Sequence, residues 1–98
     1  MKIPKYIQNI MSRSIFALGY GDPGYTIEIR KRSAYTTINT FRSEIERLIK
    51  WCNKTPHDDD CPIAVLNRIE SRTRHDWQYA TVTIYDPVML YLKKYMRF

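Results

Sequence analysis

A chain of 98 residues is shorter than the length at which a polypeptide divides into two cores, so a single domain over the whole chain is expected. Hydrophobic residues make up 44% and charged residues 27%, proportions that exclude a disordered or fibrous chain. Lys plus Arg number 16 against 10 Asp plus Glu, a formal charge of +6 that favours polyanionic partners, and no run approaches the ~18 consecutive apolar residues of a membrane span.

Residues Met1 to Leu18 carry an early lysine and several apolar side chains. Pro4, Gln8, Asn9, Ser12 and Arg13 interrupt every stretch that would serve as the apolar segment of an export signal. Two cysteines are too few for a disulfide scaffold. Both observations point to a cytoplasmic protein.

Ile3-Pro4 opens the first predicted helix, with Pro4 where its missing N–H costs nothing. Ile7 and Met11 follow at helical spacing, and Ile15 and Leu18 continue it. Gly19-Tyr20-Gly21-Asp22-Pro23-Gly24 breaks the pattern as a turn. Tyr25 to Arg32 then alternates with period two: Tyr25, Ile27 and Ile29 point one way, Glu28, Arg30 and Arg32 the other. Thr40 is read as the cap of a helix over residues 41–52, because Phe41, Ile45, Leu48, Ile49 and Cys52 form an apolar stripe. Glu46 and Lys50 support it as an i,i+4 pair. Asn53 to Pro62 is a polar loop.

Ile63 to Ser71 fits a short helix or a strand. A strand is preferred, with Ile63, Val65 and Ile69 on the inward parity. Trp77 to Tyr85 is plainly β, with Ala80, Val82 and Ile84 inward and Trp77, Tyr79, Thr81, Thr83 and Tyr85 outward. Residues Arg72 to Asp76 form the hairpin tip between these strands. Asp86-Pro87 starts the last helix, which carries Val88, Met89, Leu92, Tyr95 and Met96 on one face and Lys93, Lys94 and Arg97 in its last turns. The expected fold is α+β, a small antiparallel three-stranded sheet with helices in the order α-β-α-β-β-α.

Four constellations bear on chemistry. Cys52, His57 and Cys61, with His75 as a fourth group, offer soft ligands. The Cys-x-x-Cys that opens a zinc knuckle is absent, and Cys52 lies on the apolar helix stripe, so a core cysteine is preferred over zinc or a Cys52–Cys61 disulfide. No metal or other cofactor is expected. Asp58 to Asp60 are three neighbours on a loop, which points them apart rather than around one ion. His57-Asp58 and His75-Asp76 sit in no nucleophile signature, so no catalytic residue and no enzyme activity are expected. The fourth constellation is the outward sheet face. If the strand parities hold, it gathers Arg30, Arg32, Arg68, Arg72, Trp77, Tyr79 and Tyr85, with Arg74 at the hairpin tip. Guanidinium groups neutralise phosphates, and bases stack on aromatic rings, so this mixture suits single-stranded nucleic acid or a nucleoprotein. The competing reading is that a helix covers the face. The aromatic signature of the RNA-recognition motif is missing. Eight tyrosines also suit protein–protein docking.

The opening Met1-Lys2-Ile3-Pro4-Lys5-Tyr6-Ile7 resembles the start of small proteins of bacterial mobile genetic elements. The resemblance implies a mobile-element origin, such as phage, and with it a transfer accessory or an inhibitor of host defence like the anti-CRISPR proteins. The functional expectation is therefore a non-enzymatic protein that docks a basic, aromatic-rich face on a nucleic-acid-targeting defence complex. The alternative is a nucleic-acid-binding accessory protein of DNA transfer or transcriptional control. A homodimer, joined by an edge strand or the Tyr-rich last helix, is a further partner expectation, and no membrane partner is expected.

Overall fold

Four antiparallel strands carry the structure, in the spatial order β1-β2-β4-β3. The computed structural model describes residues 2–16, 24–33, 36–54, 63–72, 76–85 and 88–96, with the backbone alone at Phe16 and Arg72. The turn before Gly24, the loop holding His57, the aspartates and Cys61, the tip at Arg74 and His75, and the Asp86-Pro87 boundary lie outside these residues. In chain order the elements are α1 (Lys5–Met11), β1 (Ser14–Phe16), β2 (Gly24–Arg32), α2 (Ile38–Lys54), β3 (Ala64–Arg72), β4 (Trp77–Tyr85) and α3 (Val88–Leu92), the last followed by a 3-10 turn, Lys93–Tyr95. The α+β class is as expected, but the sheet has four strands rather than three, and the order becomes α-β-β-α-β-β-α.

The extra strand comes from the segment read as the end of the first helix. That helix starts on the Pro4 carbonyl, which accepts from the Ile7 and Gln8 amides. It ends at Met11, where the Ile10 carbonyl accepts the Arg13 amide at 3.1 Å in a tighter turn and the Ser14 hydroxyl at 3.0 Å. The chain then pairs Ser14, Ile15 and Phe16 with Ile29, Glu28 and Ile27. Ile15 thus leaves the apolar stripe of the helix and joins a sheet. A second correction concerns α2. Its cap is Thr37, three residues before the expected Thr40: the Thr37 hydroxyl accepts the Thr40 amide at 3.2 Å. That satisfies one of the orphan donors of the first turn. At the other end, the Asn53 carboxamide accepts the Ile63 and Ala64 amides at 2.7 and 2.9 Å, tying α2 to the start of β3.

One apolar cluster holds these elements together. Ile7, Ile10 and Met11 of α1, Phe41, Ile45, Leu48 and Cys52 of α2, and Val88, Met89 and Leu92 of α3 all pack with Ile27, Ile29, Ala80, Val82 and Ile84 of the sheet. Burying each such side chain contributes ~1.5–3 kcal/mol. Cys52 is a free, fully buried thiol in this cluster, and burial pushes its pKa up to about 12. The sheet residues of the cluster share one parity, so the helices and the core occupy one side of the sheet. Among the described residues no outward hydrophobic residue of the sheet belongs to the cluster or packs against it. Among the described residues no helix is long and apolar enough to cross a membrane.

β3 departs from simple alternation. Leu66 pairs with Val82 but Arg68 pairs with Thr81, so one extra residue, Asn67, is bulged out of the ladder. Before the bulge Ala64 and Leu66 face the core; after it Ile69 does. Ile63 and Ala64 are buried, whereas Val65 is 37% exposed. The expected inward parity of Val65 is therefore reversed, while Arg68 and Arg72 keep the outward one.

Candidate nucleic-acid interface

The register of the strands sets out the open face in rows. Arg32, Trp77 and Arg72 share the first row, Arg30, Tyr79 and Glu70 the second, and Glu28, Thr81 and Arg68 the third. Thr26, Thr83 and Val65 follow, and Gly24 pairs with Tyr85 at the far end. Each of these residues alternates with a core residue, because a strand sends successive side chains to opposite faces. The sequence-predicted residues of β2, β3 and β4 thus lie on one face. They do not form one cluster. Trp77 and Tyr85 are eight residues apart on β4, or ~26 Å at ~3.3 Å per residue. Arg30, Arg32, Trp77 and Tyr79, with the backbone of Arg72, gather at one end of the sheet. Of this described set, Tyr85 lies at the other, opposite Gly24.

Side-chain geometry follows these rows. The Arg32 guanidinium lies over the Trp77 ring, 5.1 Å from its centroid, a stacked pair that keeps the planar cation on the surface. Arg32 is exposed, and Arg30, Trp77 and Tyr79 are half-buried. Arg68 pairs with Glu70 at 2.9 Å while 70% of its side chain stays exposed. The bulge gives Asn67 and Arg68 consecutive outward positions, and the Asn67 amide donates to the Thr83 hydroxyl at 2.6 Å. Thr83 in turn lies 3.3 Å from the Thr26 hydroxyl. Asn67, Thr83 and Thr26 thus form a line of polar, uncharged groups between the row of Glu28 and Arg68 and the row of Tyr85.

Among the described side chains the strands present three arginines, Arg30, Arg32 and Arg68, against two glutamates, Glu28 and Glu70, with Arg72 at a further outward register position. Among the described residues the register places no carboxylate in the row of Arg32 and Trp77. The hairpin end is held by the Asp76 carbonyl, which accepts the Ser33 amide at 2.8 Å, and Asp76 itself adopts a left-handed φ of 54°, a conformation Asp tolerates. Chemically, the arrangement sets the exposed Arg32 beside half-buried rings and the half-buried Arg30. Among the described residues no group of three or more His, Cys, Asp and Glu is placed to hold a metal. No family model, curated protein or solved structure matches this chain.

A second group of cations escaped the sequence reading. Arg13 and Lys31 both pair with Glu44, Lys31 at 3.0 Å. Lys31 follows Ile27 and Ile29 on the inward parity of β2, and a lysine there is the one signal that marks it. Arg13 and Glu44 lie in segments distant along the chain, so nothing local links the three.

Proposed function

We propose that this chain is a non-enzymatic binding protein whose open sheet face contacts single-stranded nucleic acid, free or held in a nucleoprotein complex. The observation that carries this reading is the pair of adjacent rows at one end of the sheet, where Arg30 and Arg32 stand beside Tyr79 and Trp77, on the side opposite the described helices. Arginine neutralises backbone phosphate and stacks on bases, and each base stacked on a ring contributes ~1–3 kcal/mol. The inhibitor of a host defence complex is the form of this proposal in which a protein presents the nucleic acid; the DNA-transfer or transcriptional accessory is the form in which the strand is free.

The test is fluorescence anisotropy of a labelled single-stranded oligonucleotide, as DNA and as RNA. Trp77→Ala and Arg32→Ala are each expected to weaken binding by about 5- to 150-fold, since each removes ~1–3 kcal/mol of stacking or charge-assisted contact. Lys50→Ala, exposed on α2 on the opposite side of the sheet, is expected to leave it nearly unchanged. Equal losses in all three variants would remove the open face as the site.

A further inference from the structure

A cleft of about 460 Å³ lies between α1, α2 and the last residues of β2. It is on the helical side of the sheet, away from the face proposed for nucleic acid, and its volume is in the range of small-molecule sites. Three cations line it, Arg13, Lys31 and Arg47, against one carboxylate, Glu44. Glu44 is shared: both Arg13 and Lys31 reach it, Lys31 Nζ at 3.0 Å from Oε2. One carboxylate offsets one of these charges. The Arg47 guanidinium is stacked on the Tyr6 ring, 4.3 Å from the centroid, which fixes a flat donor at the cleft wall. Ser43 adds a hydroxyl to the lining.

The charges are crowded as well as unequal. The Arg13 and Lys31 side chains retain only 26% and 29% of their exposure. Burial, and then the charge of Arg13, hold the Lys31 ammonium below its ordinary value. Burial likewise lowers Arg13. A structural ion pair needs one cation per carboxylate. The surplus here amounts to two positive charges around a space open to a ligand, which matches the charge of a terminal phosphate.

We infer that this cleft binds the terminal phosphate of a small phosphorylated molecule, through Arg13, Lys31 and Arg47. Phosphate oxygens accept several charge-assisted hydrogen bonds at once, and a guanidinium fork suits two of them. Glu44 orients Arg13 and Lys31 and at the same time competes with the ligand for them.

The test is an amide NMR titration of the full chain with inorganic phosphate and with glycerol 3-phosphate, at constant ionic strength against sodium chloride. Saturable shifts are expected at Arg13, Lys31, Ser43 and Arg47. Lys31→Met and Arg47→Gln each weaken the affinity about tenfold, the loss of one charge-assisted contact. Glu44→Gln tightens it, an outcome a purely structural ion pair does not produce. Arg32→Ala, on the open face, leaves it unchanged, so failure here and failure of the nucleic-acid reading are separate results. Shifts that match those of chloride overturn the inference, as do saturable shifts that Lys31→Met and Arg47→Gln do not move. Displacement of phosphate by an oligonucleotide lacking a terminal phosphate overturns it too, by assigning the cleft to a strand backbone.

Discussion

Deleting Asn67 should leave the protein folded. The residue is the extra one in β3, between Leu66 opposite Val82 and Arg68 opposite Thr81. Its removal makes the alternation regular: Leu66 inward, Arg68 outward, Ile69 inward. β3 is an edge strand, paired only with β4, so no further ladder is disturbed. The loss is one exposed hydrogen bond, from the Asn67 amide to the Thr83 hydroxyl at 2.6 Å, or ~0.5–1.5 kcal/mol. For a domain of this size that is a fall in Tm of about 12 °C at most, since 1 kcal/mol corresponds to ~4–8 °C. Deleting Ile69 is the contrasting change. It moves Glu70 into the place opposite Ala80, which is fully buried, and so exchanges an apolar side chain for a carboxylate at the core. Burying that group without a partner costs several kcal/mol in a fold whose total stability is ~5–15 kcal/mol. Circular dichroism melts of both variants decide the matter. A cooperative transition for the Asn67 deletion and none for the Ile69 deletion is expected. The reverse pattern, or equal damage from both, would refute the assigned register.

Three further outcomes follow from the same geometry. A Cβ on Gly24 would sit 2.6 Å from Tyr85 Cδ1 and 2.9 Å from Thr83 Cγ2, so Gly24→Ala should cost ~1–3 kcal/mol by displacing the ring; an unchanged Tm would mean the ring does not rest there. Thr37→Ala should lower stability by ~0.5–2 kcal/mol through the lost cap of α2, and Thr40→Ala by less; denaturant midpoints of the two variants check the order. The Cys52 thiol is held up to about 12 by burial, whereas an unfolded thiol titrates near ~8.5. The folded chain therefore keeps a proton that the unfolded chain loses, so this contribution is intact below ~pH 8 and falls by ~1.4 kcal/mol per pH unit above ~8.5. Unfolding free energies at pH 7.5 and 9.5, compared with Cys52→Ala, should converge as pH rises; parallel curves would contradict the burial.

What the sequence made legible was periodic. β2 from Tyr25 to Arg30 and β4 from Ala80 to Ile84 alternate apolar and polar residues, so their faces were readable, and the α2 stripe from Phe41 to Cys52 gave its buried side. What it hid was set by contacts between distant segments. β1 is three residues long and exists because Ser14 to Phe16 find Ile27 to Ile29, while Ile15 at helical spacing from Met11 pointed to a longer helix. The β3 bulge shifts parity between Leu66 and Arg68, and a strict period of two cannot describe both halves of that strand. Thr37 and Thr40 are equivalent caps until the path of the preceding chain is known. The open face was named from parity alone, yet its division into an Arg-Trp end and a remote Tyr85 needed the cross-strand register. The cleft cations at positions 13, 31 and 47 became neighbours only through the packing of α1 and α2 on β2.

The salt dependence of oligonucleotide affinity tests the central claim most directly. Binding that neutralises about three phosphates through Arg30, Arg32 and Arg68 gives a slope of log K against log salt near ~−2, at ~−0.7 per phosphate on a single strand. Between 50 and 200 mM salt the affinity should then fall by about fifteenfold. Replacing Arg30 and Arg32 together by Ala should flatten the slope toward ~−0.7. A chain that shows no affinity for single-stranded DNA or RNA at 50 mM salt, or a slope that those two substitutions leave untouched, would contradict the assignment of nucleic-acid contact to the open face of the sheet.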